Sequence, residues 1–155
     1  TVKKNLAAMA MTYENVYVAQ VAIGADFNQT LKAFSEAADY PGPSLVIAYA
    51  TCIAHGIRSG MGSIAAEQKK AVETGYFSLF RFHPLLRQQG KNPFCLDSKE
   101  PVLDYREFWE GEIRYDSLLQ SDPEKAQVLF QKAAADAKKR YETLKKLEAF
   151  YAPSL

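Results

Sequence analysis

The stretch NVYVAQVAIGADFNQTLKAFSEAADYPGPSLVIAYATC, from Asn15 to Cys52, decides the fold. Its opening is rich in β-branched and aromatic residues and closes on Gly24, which predicts a strand over Val16–Ile23. Asp26 can cap a helix, and Gln29 stands three positions later as in a capping box. Phe27, Leu31, Phe34 and Ala38 then recur at helical spacing. The Pro41-Gly42-Pro43 triplet stops that helix. Leu45 to Ala50 is a near-continuous apolar run, the pattern of a parallel strand buried on both faces. A strand, a helix and a strand within about 35 residues make one βαβ unit, with a right-handed crossover.

This unit matters for function because open α/β sheets bind ligands outside the carboxyl ends of their strands. Cys52 lies just past such an end, with His55 three residues on and Gly56, Gly60 and Gly62 in the loop behind it. Residue type alone leaves two readings of Cys52 open. Free cysteine is commonly buried and inert, while a thiol at this edge can be a ligand or a nucleophile. The glycine spacing matches neither a dinucleotide fingerprint nor a P-loop, so the loop reads as a turn-rich connection.

Outward from this core, Asn5–Tyr13 reads as a short helix. Ser63 reads as the cap of a helix that ends at Gly75. Tyr76–Pro84 reads as a strand or extended segment, with His83 structural. Leu85–Pro101 looks irregular, and Cys95 within it reads as a packing residue. From Tyr105 the chain turns helical. Phe108, Trp109, Ile113, Leu118 and Leu119 make one amphipathic segment. A long final helix follows, with a capping box of Ser121 and Glu124 around Pro123. Its expected apolar stripe is Ala133, Ala137, Tyr141, Leu144 and Phe150. Lys138, Lys139, Arg140, Lys145 and Lys146 are interleaved with acids and read as a solvated face. The expected organisation is an α/β portion over residues 1–94 and an irregular linker with a helical tail over residues 95–155.

The chain has 155 residues and a net charge of +1. That length suits one domain with a real core, and the charge gives no field for nucleic acid or an anionic membrane. No apolar run approaches the roughly 20 residues that span a bilayer. Two cysteines, Cys52 and Cys95, do not make a disulfide framework, which points to a reducing cytoplasm. With two histidines and two cysteines in all, no zinc site can be built from soft ligands alone. The residues themselves therefore describe a partial site, with one candidate ligand at a strand end.

The run from Leu6 to Phe82, most specifically PGPSLVIAYATCIAHGI, closely resembles the last part of the thiamine-binding domain of the pyruvate:ferredoxin (flavodoxin) oxidoreductases. NPFCLDSKEP and FWEGEIRYDSLLQSDPEKA resemble that family's ending. The resemblance implies a partial thiamine-diphosphate-binding α/β fold with parallel strands and a helical C-terminal tail. It implies oxidative decarboxylation of pyruvate with coenzyme A to acetyl-CoA and carbon dioxide. Thiamine pyrophosphate with magnesium does the carbon chemistry, and 4Fe-4S clusters pass electrons to ferredoxin or flavodoxin. In the family, the cysteine at the position of Cys52 supplies one of four thiolates to the cluster nearest the thiamine. The family commonly has Pro before it, where this chain has Thr51. The remaining cluster cysteines, the GDG magnesium motif and the Asn-Thr-Gly-Gly stretch are not in these residues. The resemblance thus implies a fragment, inactive alone and holding neither cluster nor thiamine alone. Its partners would be the rest of a homodimeric enzyme and the electron carrier. Two other readings stand beside it: a stand-alone, non-catalytic α/β interaction domain, and a thiol enzyme using Cys52 and His55.

Overall fold

A computed structural model describes residues 4–153. The first three residues of the expected 1–94 portion and the last two of the expected tail lie outside the described residues. Four strands form one mixed sheet in the order β2-β1-β3-β4. They are β1 (Tyr17–Val21), β2 (Ser44–Ala48), β3 (Phe80–Phe82) and β4 (Phe94–Leu96). β1 and β2 are parallel, with Ala19 opposite Val46. The helix between them, α2 (Phe27–Asp39), completes the expected βαβ unit. β3 runs antiparallel to β1, and β4 antiparallel to β3. β4 falls in the stretch read as irregular, and it spans the 94/95 position. Three residues are too few to show alternation in the sequence.

Helix α1 (Leu6–Met11) starts at an Asn5 cap, whose side chain accepts from the Ala8 amide. With Leu144, Leu147 and Tyr151 of α6 (Pro123–Tyr151), it covers one core cluster built on Val18, Phe80, Phe82 and Phe94. On the other face, Tyr17, Ala19 and Val21 pack with Ala33, Tyr40 and Leu85. The remaining helices are α3 (Ile64–Glu73), α4 (Tyr105–Gly111) and α5 (Ile113–Ser121). His83 is structural, as read: its ring sits edge-on to Tyr17 and Tyr40, with centroids 5.6 and 5.3 Å away.

Several local expectations are corrected. β2 is an edge strand, with Leu45, Val46 and Ile47 half-buried and Ser44 and Ala48 exposed, so it is not covered on both faces. In α2, Asp26 does accept from the Gln29 amide at 2.8 Å. The Gln29 side chain, however, leaves the box for the Gln20 carbonyl and Asp97. The face that α2 buries carries Gln29, Thr30 and Ala33. The stripe of Phe27, Leu31, Phe34 and Ala38 is exposed. On the inward side Gln29 donates to Asp97 and Glu36 accepts from Arg81, which orients the helix on the sheet. The cap of α6 is Asp122, which accepts from the Lys125 amide, and not Ser121. Ser63 makes no cap bond and instead donates to the Gly60 carbonyl within a turn. Ala137 and Tyr141 are buried along α6 as expected, while Phe150 is exposed.

Candidate functional site

The carboxyl ends of β1 and β2 are held together by one side chain. Gln68, on α3 and nearly fully buried, accepts the Gly24 amide at 2.6 Å and donates to the Tyr49 carbonyl at 3.1 Å. Gly24 is required here because a Cβ would lie 2.5 Å from the Ala65 Cα. Sequence reading missed Gln68, which looks like any polar helix residue until α3 is placed across the strand ends.

Past this clamp the chain passes through Ala50 and Thr51 to Cys52. The Gly56 amide donates to the Cys52 carbonyl at 3.0 Å, closing a turn that Gly56 completes at φ +74°. That turn brings the His55 Nδ1 to 3.0 Å from the Cys52 Sγ. The two residues noted in the sequence are therefore in contact. Cys52 is half-buried and His55 exposed. Among the described residues His55 has no other hydrogen bond to fix its ring, whereas a general base needs a third group to orient it.

The loop is stitched to the tail. Ile57 pairs with Glu112 as an antiparallel bridge, and the Arg58 amide donates to the Gly111 carbonyl at 2.9 Å. Arg58 also pairs with Asp116 at 2.8 Å. Beneath these contacts Glu112 is 1% exposed. It faces the Tyr49 hydroxyl at 3.4 Å and the Arg114 Nε at 3.0 Å. Burial, and then the Glu112 carboxylate, pushes the Tyr49 phenol well up, so the hydroxyl stays protonated as a donor. Tyr49, Tyr76, Phe77 and Phe108 pack ring against ring around this pair. The helical tail thus ties to the backbone that follows the Cys52 turn.

Among the described residues no three His, Cys, Asp or Glu side chains form a group able to hold a metal ion. Cys95 cannot supplement Cys52. It sits on β4, three strand positions from β2, or about 14 Å at ~4.8 Å per strand. Its sulfur is engaged with Arg81 and Asp97, each at 3.3 Å. It is exposed, and it is not the packing residue the sequence suggested. A 4Fe-4S cluster takes four thiolates, and the sequence has two cysteines. An open groove of about 730 Å³, lined by Arg58, Trp109, Asp116 and Phe130 among others, contains neither cysteine.

No family model matches the chain. Individual relatives do. Over 147 residues, or 95% of the chain, it is 56% identical to the pyruvate-flavodoxin oxidoreductase of Enterobacter agglomerans. It is 57% identical over the same length to the pyruvate:ferredoxin oxidoreductase of Moorella thermoacetica. The chain matches one segment of the pyruvate:ferredoxin and pyruvate-flavodoxin oxidoreductases. It spans about 12% of the length of these two relatives. A mitochondrial NADP(+) pyruvate dehydrogenase of Euglena gracilis is 44% identical over 147 residues, which are 8% of that protein. Among the described residues, no helix is long and apolar enough to cross a membrane.

Proposed function

We propose that this chain acts as part of a pyruvate:ferredoxin or pyruvate-flavodoxin oxidoreductase. The overall reaction takes pyruvate and coenzyme A to acetyl-CoA and carbon dioxide, and two electrons leave through iron–sulfur clusters to a carrier protein. In this reading thiamine pyrophosphate with magnesium supplies the carbanion chemistry, and its ligands lie in other parts of the enzyme. The contribution of this segment is Cys52, offered as one of four thiolates to a 4Fe-4S cluster. The observation that carries the reading is the position of that cysteine. It stands in a tight turn just beyond the carboxyl end of β2, where open α/β sheets place their ligands.

Relatives named for flavodoxin, ferredoxin and NADP(+) share the segment at 44–57% identity. The shared chemistry is pyruvate oxidation, and the carrier that collects the electrons is chosen elsewhere in the enzyme. A homodimeric enzyme in the cytoplasm completes the proposal.

The test is electron paramagnetic resonance on the dithionite-reduced full-length enzyme carrying Cys52→Ala. The expected result is loss of one 4Fe-4S signal, with bound thiamine retained. An unchanged set of cluster signals would overturn the ligand role. The contact between Cys52 and His55 gives the thiol-enzyme reading a foothold. In that reading His55→Ala would abolish turnover while every cluster signal survived; in ours His55→Ala leaves turnover within about tenfold of the parent.

A further inference from the structure

The turn that carries Cys52 brings a nitrogen to its sulfur without help from any other element. The Gly56 amide donates to the Cys52 carbonyl at 3.0 Å, and Gly56 sits at φ +74°, where a side chain is strained. The chain so turned sets the His55 Nδ1 3.0 Å from the Cys52 Sγ. Among the described residues this sulfur has no second hydrogen-bonding neighbour. Cys52 is free and half-buried. That suits a sulfur that gives one lone pair to iron and keeps another for a hydrogen bond.

A thiol can donate to a ring nitrogen or accept from it, whereas a thiolate can only accept. Bound to iron, the Cys52 sulfur carries no proton. A bare Nδ1 lone pair at 3.0 Å would then repel it, so the contact requires the hydrogen to be on Nδ1. That leaves Nε2 on the exposed side of His55 for solvent. A general base needs a third group to orient it. A single donor held by a backbone turn does not.

We infer that His55 tunes the cluster by donating its Nδ1–H to the Cys52 sulfur. The inference rests on the ligand role proposed for Cys52. Reduction adds one negative charge, part of it on the sulfurs. Hydrogen bonds strengthen as the acceptor gains charge. The donor therefore stabilises the reduced state more than the oxidised one, and it raises the reduction potential. His55 acts through the cysteine and touches no substrate in this role. It sets how readily the cluster takes an electron.

The test is a redox titration of the full-length enzyme at one pH, followed by electron paramagnetic resonance, on the parent and three variants. Cys52→Ala identifies the signal concerned by removing it. His55→Phe keeps the bulk of the ring and removes the donor, while His55→Asn keeps an N–H donor near the place of Nδ1. In His55→Phe the equilibrium constant for reduction should fall about tenfold, a midpoint about 59 mV more negative. His55→Asn should stay within about twofold of the parent, and the midpoints of the other clusters should not move. A His55→Phe constant that stays within about twofold of the parent, or rises, overturns the inference. So does His55→Asn shifted as far as His55→Phe. Loss of the signal in His55→Phe also overturns it, because His55 would then build the site and not tune it. If Cys52→Ala removes no signal, the ligand role fails and this inference falls with it. A signal lost in Cys52→Ala but unmoved in His55→Phe overturns this inference alone.

Discussion

Arg81 holds Asp97 with two arms of its guanidinium, Nε 2.9 Å from Oδ2 and Nη2 2.8 Å from Oδ1. Its remaining arm reaches Glu36 at 2.6 Å, and the Tyr17 hydroxyl donates to the other oxygen of Glu36 at 2.9 Å. One residue at the centre of β3 thereby ties β1, α2 and the chain after β4. Arg81→Met leaves two largely desolvated carboxylates without a cation and should cost ~3–5 kcal/mol, read from urea unfolding. Burial alone would raise the Asp97 carboxyl, but hydrogen bonds from Arg81 and Gln29 outweigh it and hold the group below its ordinary value. The unfolded carboxyl titrates near ~3.9. The pair's contribution is therefore complete above about pH 5 and lost as pH falls through the lower folded value. Asp97→Asn should flatten the acid limb of the stability–pH curve.

The same network governs the second thiol. Desolvation of its sulfur, and then the Asp97 carboxylate, pushes Cys95 up to about 11. Near pH 8 only about one Cys95 in a thousand is then thiolate. Alkylation by iodoacetamide, followed by peptide mass spectrometry, should speed up about tenfold per pH unit between pH 7.5 and 9.5. In Asp97→Asn the rate at pH 8 should rise, because the repelling charge is gone.

Gln68 closes the carboxyl ends of the parallel pair through two hydrogen bonds. Gln68→Ala leaves the Gly24 amide and the Tyr49 carbonyl without that partner and should cost ~1–3 kcal/mol. Gly24→Ala drives a methyl into the α3 backbone and should cost a similar ~1–3 kcal/mol. Under the proposed ligand role of Cys52, Gln68→Ala in the full-length enzyme should broaden the cluster signal that Cys52→Ala removes, since the clamp sits just upstream of that turn.

The start of α6 separates two caps. Asp122→Ala should cost ~1 kcal/mol, because its carboxylate accepts the Lys125 amide. Ser121→Ala should stay within ~0.5 kcal/mol, since its hydroxyl donates only to the Leu118 carbonyl. Thermal unfolding of the two variants checks this directly.

The βαβ unit was legible because each of its signals is local: the Asp26 cap, the Pro-Gly-Pro stop and the apolar β2 run. Cys52 was legible as a candidate for the same reason, since a cysteine just past a strand end needs no tertiary information. The rotation of α2 was not legible. The stripe of Phe27, Leu31 and Phe34 is the apolar face that usually meets a core, and only the pull of Asp97 and Arg81 on Gln29 and Glu36 shows it turned outward. Gln68 and the Glu112 pocket were equally invisible. Their meaning depends on α3 and the α4–α5 junction arriving beside Gly24 and Tyr49, residues 19 to 63 positions earlier in the chain. Asp122 was overlooked because Ser121 and Glu124 satisfied the capping-box pattern one residue out of step.

Helix α6 stacks Phe130 against Trp109 near one end and sets Tyr151 at a tilt against Phe82 at the other. Those two contacts are 21 residues apart, roughly 32 Å of continuous helix. The aromatic layer behind the Cys52 loop and the inner face of the sheet are thus mounted on a single strut of fixed length. Neither can slide along the strut alone, so the spacing between the turn that offers the thiol and the far edge of the sheet is set by counting helical residues. Inserting or deleting one residue anywhere between Phe130 and Tyr151 would rotate one mount by about 100° against the other.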